Sequence, residues 1–112
     1  MPTHAELSGK LLADAAAFFR TLATQNENLT DQMTDNATVF EQMGELIIND
    51  PEGFLEDTRH SDLAGRLLQD AAVFFRTLAE QNEPIRDQMT ENANVYDQIG
   101  NLVIEDPLGI LD

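Results

Sequence analysis

Residues 18–40, FFRTLATQNENLTDQMTDNATVF, are written almost again at residues 74–96, FFRTLAEQNEPIRDQMTENANVY. Whether each copy is one long helix or two helices folded back on each other decides the fold. The spacing of three and four runs without a skip through Leu12, Ala15, Phe19, Leu22, Asn26, Leu29, Met33, Asn36, Phe40, Met43 and Ile47. Such a heptad pattern favours one continuous helix in a coiled coil. The middle of the segment points the other way. It turns polar at residues 24–28, and the second copy carries Pro84 there. An interior helical proline costs ~3 kcal/mol, whereas one in the first turn costs little. Asn26 and Asn82 suit an N-cap, each followed at once by a glutamate.

A bend at residues 25–27 also gives distant positions a reason. It sets Gly9 beside Gly44, and Gly65 beside Gly100. Glycine inside a helix costs about 1 kcal/mol, so matched glycines point to close approach of two helix backbones. The same bend brings Ala15 toward Asn36 and Phe19 toward Met33. It brings Lys10 toward Glu41 or Glu45, and Arg20 toward Asp31 or Asp35. The expectation is four helices, near residues 5–24, 27–48, 61–80 and 84–104. They form an all-α four-helix bundle made of two tandem helical hairpins.

The likeness extends past the quoted segment. Aligning residues 4–56 with 60–112 gives 32 identities in 53 positions, and residues 57–59 join the copies. The organisation is therefore a single domain, 1–112, with an internal repeat. Its simplest origin is duplication of a hairpin too small to bury its own apolar stripe alone. Each repeat closes on Asp-Pro-x-Gly, at Asp50 and at Asp106. The residue before a proline avoids the α region, and the tetrapeptide suits a type I turn. Phe54, Leu55, Ile110 and Leu111 are expected to fold back over the end of the bundle.

Composition narrows the function. The chain has 112 residues, 42% of them apolar, which allows a folded core. Twenty-one acids against six bases give a net charge of −15. That charge repels phosphate backbones and anionic membranes and favours basic partners. Direct nucleic-acid binding and membrane binding are not expected. No apolar run approaches roughly 18 residues, and no cationic leader precedes one, so a soluble, cytoplasmic protein is expected. The absence of cysteine removes disulfides, thiolate ligands and cysteine nucleophiles.

Catalytic patterns are missing. Carboxylate-bridged metal bundles need a Glu-x-x-His pair on facing helices, and none occurs. His4 and His60 stand in the leading segment of each repeat. There is no nucleophile elbow and no phosphate-binding glycine loop. The protein is read as no enzyme, with no cofactor and no metal site.

Two sets of residues remain as candidates. Asn36 and Asn92 occupy seam positions between a methionine and an aromatic residue, with Gln32 and Gln88 one turn earlier. They form an expected polar core layer that fixes register or holds a ligand. Asn36 meets Asn92 or a backbone carbonyl, and the Tyr96 hydroxyl, where the first copy has Phe40, joins them. The second set is the apolar band of Leu11, Phe18, Leu67 and Phe74. Adjacent aromatics such as Phe18 and Phe19 point about 100° apart on a helix, so one face cannot absorb both. The band either centres the first helix of each repeat in the bundle or forms an interface. These features suggest a small acidic protein acting through protein–protein contact, self-association included. Two alternatives are an acidic nucleic-acid mimic that blocks a basic DNA- or RNA-binding protein, and a small-molecule or metal-binding bundle.

Overall fold

The structure, a computed structural model, describes residues 2–110. Four helices account for most of them: α1 (His4–Gln25), α2 (Thr30–Asn49), α3 (His60–Gln81) and α4 (Arg86–Glu105). A two-stranded antiparallel ribbon, β1 (Phe54–Leu55) and β2 (Thr58–Arg59), links the hairpins. Each quoted segment is thus two helices and a bend. The polar middle becomes a single extended residue and one turn of 3₁₀ helix, at Glu27–Leu29 and again at Glu83–Ile85. Pro84 lies within the first two positions of that turn, where its missing N–H costs little.

The bend is capped differently from the expectation. Asn26 and Asn82 make no side-chain bond to the following helix. Their Nδ2 atoms instead donate backward, to the carbonyls of Leu22 (3.2 Å) and Leu78 (3.1 Å). Those carbonyls already accept the backbone N–H of the same asparagines, so each side chain adds a second donor to one acceptor. The last carbonyls of a helix lack intrahelical donors, and Thr30 answers that need from across the bend, donating from Oγ1 to the Ala23 carbonyl at 2.7 Å. In the second hairpin the Arg86 Nε reaches Ala79 instead.

Within each hairpin the helices approach closely at the paired glycines. A Cβ built on Gly9 would lie 2.9 Å from the Gly44 carbonyl oxygen, and one on Gly65 2.8 Å from that of Gly100. These glycines are buried in the seam. The seam of α2 runs through Met33, Ala37, Phe40, Gly44 and Ile47, and that of α4 through Met89, Ala93, Tyr96, Gly100 and Val103. The step after Met33 and Met89 is four residues, not three. Ala37 and Ala93 therefore hold the buried positions, and Asn36 and Asn92 are displaced to the edge.

The helix caps and turns complete a closed circuit. Thr3 and Glu6 form a capping box at the start of α1. Asp50 and Asp106 open turns closed by the Gly53 and Gly109 N–H groups. Each turn then docks on the first residue of the other hairpin. His60 N donates to the Gly53 carbonyl at 2.9 Å, and His4 N to the Gly109 carbonyl at 2.8 Å. Beside them Phe54 pairs with Arg59, and Ile110 bridges Thr3. Two of these contacts are local to the linker; the other two span nearly the whole chain.

The tails do not plug the bundle. Phe54 is 62% and Ile110 56% exposed, and Leu55 is about half exposed. Committing their backbones to the ribbon and the bridge holds them at the surface. Leu111 lies outside the described residues. Among the described residues no helix is long and apolar enough to cross a membrane.

Candidate functional site

The hairpins meet through α1 and α3, each of which also packs on the second helix of the other hairpin. The contact is aromatic. Phe18 lies edge-on to Phe75 at 5.5 Å between ring centroids, and Phe19 to Phe74 at 5.4 Å. Phe18 meets Phe74 at 6.3 Å. This reciprocity, first residue with second in both directions, is that of an isologous contact. Edge-to-face pairs add about 0.5–1.5 kcal/mol each beyond area burial. Phe40 and Tyr96 extend the cluster, each 5.0 Å from the nearest ring of its own hairpin. Leu11, Phe18, Leu67 and Phe74 are half-buried against this core. The apolar band is thus spent largely on joining the two halves of one chain.

Two grooves flank the seam, and they are counterparts. One, of about 250 Å³, is lined by Phe19, Asn36, Val39, Phe40, Leu67, Asp70, Ala71 and Phe74. The other, of about 320 Å³, is lined by Leu11, Asp14, Phe18, Phe75, Asn92, Val95 and Tyr96. Residue for residue the second matches the first, with Tyr96 in place of Phe40 and no counterpart of Ala71. Each combines aromatic rings with one carboxylate and one carboxamide. Among the described residues neither Asp14 nor Asp70 is ion-paired. The Tyr96 hydroxyl donates to the Leu11 carbonyl across the seam at 2.9 Å. Burial pushes that hydroxyl well above the usual phenol range, and the neighbouring Asp14 carboxylate adds to the effect.

The expected polar layer is not assembled. Gln32 and Gln88 are exposed, and Asn36 and Asn92 are half-buried. The two asparagines line different grooves rather than meeting each other. Tyr96 is buried as the layer required, but its partner is a carbonyl of α1.

The ion pairs also differ from the expectation. Arg20 pairs with Glu41 at 2.6 Å, not with Asp31 or Asp35, and Arg76 pairs with Asp97 at 2.7 Å. Helical side chains lean toward their own N-terminus. In an antiparallel hairpin Arg20 on α1 therefore leans away from the bend and the acids of α2 lean toward it, so the acid that meets Arg20 lies further along α2 than the backbone register places it. The hydrogen bond from Arg20 lowers the Glu41 carboxyl below its ordinary range, as Arg59 does for Asp62.

His4 and His60 are the residues whose role the sequence concealed. Both are buried at the first position of a helix. Their Nδ1 atoms lie 2.8 Å from the carbonyls of Asp106 and Asp50, so Nδ1 carries the proton and donates. A Cβ on Gly109 or Gly53 would fall within 2.9 Å of the ring Cε1. The glycine in Asp-Pro-x-Gly is the space the imidazole needs. A signal was available, since each histidine matches its counterpart across the repeat and follows or closes onto such a turn. Among the described residues no group of three or more His, Cys, Asp or Glu side chains is arranged to hold a metal ion.

The fold and the grooves define an all-α four-helix bundle with two equivalent clefts beside an aromatic seam. No family model, no curated protein and no solved structure matches the chain.

Proposed function

We propose that this protein is a non-catalytic interaction module that binds a basic protein partner through its acidic surface. One observation carries the reading. The apolar band is taken up largely by the contact between the hairpins, and the chain carries a strong excess of acids. The net charge is −15, and among the described residues three ion pairs use Arg20, Arg59 and Arg76. Half of the six bases are thereby committed within the molecule. A small frame carrying so many carboxylates raises the local concentration of cationic partners and speeds their encounter. The acidic nucleic-acid mimic is the specific form of this reading, since duplex DNA presents one charge per ~1.7 Å of axis. Its test is displacement of a fluorescent DNA duplex from a basic DNA-binding domain, followed by anisotropy at low and at physiological ionic strength. Displacement that weakens as salt rises supports the reading, and no displacement at low salt ends it.

Self-association is a second reading, favoured by the exposed Phe54, Leu55, Leu108 and Ile110 on the tails. Sedimentation equilibrium tests it, with a concentration-independent monomer as the refuting result. The likeness of the two repeats is attributed to duplication of an ancestral hairpin that paired with itself. The reciprocal Phe18–Phe75 and Phe19–Phe74 contacts are what such a pair would have left behind.

A further inference from the structure

The twin grooves carry more than a general acidic surface does. Each contains a carboxylate, Asp70 or Asp14, without an ionic partner among the described residues. Beside it stands a carboxamide, Asn36 or Asn92, whose side chain makes no hydrogen bond within the described residues. Aromatic rings line the same grooves, Phe19, Phe40 and Phe74 in one and Phe18, Phe75 and Tyr96 in the other. The combination asks for a ligand with a slim apolar stem and a cationic head rich in donors.

We propose that each groove receives an arginine side chain of a basic protein partner, with Asp70 meeting the guanidinium in one groove and Asp14 in the other. The inference rests on the reading under Proposed function and names where the partner is held. Size agrees: at ~30 Å³ for each water-sized group, volumes of about 250 and 320 Å³ match an arginine side chain. Chemistry agrees as well. A guanidinium presents a planar fork of donors that fits a carboxylate through two N–H groups. A further N–H remains for the asparagine Oδ1. The methylene stem and the flat head both lie favourably against aromatic rings. The molecule already holds two such forks internally, where Nε and Nη2 of Arg20 donate to the two oxygens of Glu41 and those of Arg59 to the two oxygens of Asp62. Lysine offers a point charge and no fork, so it fits the site less well.

The probe is N-acetylargininamide, titrated into isotopically labelled protein and followed by NMR. The side-chain amide signals of Asn36 and Asn92 are expected to shift saturably. Asp70→Asn is expected to weaken the response at Asn36 about three- to fivefold while leaving Asn92 unchanged, and Asp14→Asn the reverse. Both residues are exposed, so the substitutions leave the fold intact. N-acetyllysinamide is expected to shift these signals less. Small shifts spread over all acidic positions, insensitive to Asp14→Asn and Asp70→Asn, overturn the proposal, as does an equal response to the lysine probe. The DNA-displacement assay, run on the same two variants, separates the two readings. Displacement that is unaffected by both substitutions keeps the acidic module and removes the grooves. Groove binding without displacement removes the DNA-mimic form of the module and keeps the grooves.

Discussion

Replacing Gly9 with alanine is expected to destabilise the protein, although alanine is the better helix former. Gly9 lies inside α1, where exchange for alanine at an open site gains about 1 kcal/mol of helix propensity. Here the new methyl would meet Ile48 Cγ1 and Cδ1 and lie 2.9 Å from the Gly44 carbonyl oxygen. The end of Ile48 is partly exposed and can rotate away. The carbonyl belongs to the backbone of α2, so it yields only if the helices part by about half an ångström. Overpacking of this kind costs about 1–3 kcal/mol. The net expectation is a loss of about 1 kcal/mol, or roughly 4 °C in Tm. Gly65→Ala is expected to cost the same, since its Cβ would lie 2.8 Å from the Gly100 oxygen. The two sites sit in different hairpins, so the double variant loses the sum. Gly44→Ala is milder, its Cβ falling 3.1 Å from the Gly9 oxygen. Exposed Ala13 provides the control: Ala13→Gly removes propensity alone and costs about 1 kcal/mol. Urea unfolding followed by far-ultraviolet circular dichroism measures each value. If Gly9→Ala and Gly65→Ala both stabilise by about 1 kcal/mol, the backbones are not in contact and the hairpin seam is wrongly placed.

Three further outcomes are expected. Tyr96 is the single tyrosine and there is no tryptophan, so ultraviolet absorbance titrates it alone. Its folded pKa is raised and its unfolded value lies near 10. The unfolded state therefore loses its proton first, and stability falls as pH rises above about 10. Tyr96→Phe abolishes that fall and costs about 0.5–1.5 kcal/mol at neutral pH through the lost bond to Leu11. Phenolate appearing near pH 10 without unfolding would contradict the buried hydroxyl. Glu56 sits in the ribbon turn at a φ of 57°, a left-handed conformation that glycine adopts freely. Glu56→Gly is expected to raise thermal stability by about 0.5–1 kcal/mol, and a lower Tm would count against the turn geometry. Finally, a circular permutant that opens the chain between Glu56 and Asp57 and joins its ends through a short flexible linker is expected to retain the helical spectrum and cooperative unfolding. A non-cooperative transition would show that the contact of Gly109 with His4 is not equivalent to that of Gly53 with His60.

The hairpins were legible because their evidence is redundant. Pro84, the polar middle and two pairs of matched glycines all mark the same bend. The glycine pairing came out correctly because a missing side chain leaves only one explanation, backbone approach. Asn36 and Asn92 misled for a definite reason. A heptad allows a step of three or four after Met33, and Ala37, small and apolar, lies one residue further along. Nothing in the spacing decides between them; in the folded hairpins the buried seam passes through Ala37 and Ala93. Arg20 was assigned by backbone register, which ignores the lean of helical side chains. The grooves were beyond reach of a one-dimensional pattern, because each draws residues from three helices. Asp14 and Asp70 looked like any other outward acids until the hairpins were brought together.

The docking of each turn on a histidine has a consequence for how copies of the molecule treat one another. Gly53 meets His60 and Gly109 meets His4 through the same bond, yet only the first pair is held together by a short stretch of chain. A hairpin presents the same socket whether the turn that fills it comes from its own polypeptide or from a neighbour's. Selectivity for the tethered partner is a matter of proximity, not of recognition. Crowded molecules that open at Glu56 and Asp57 have a route to trade halves, and dilution is what returns each half to its own chain.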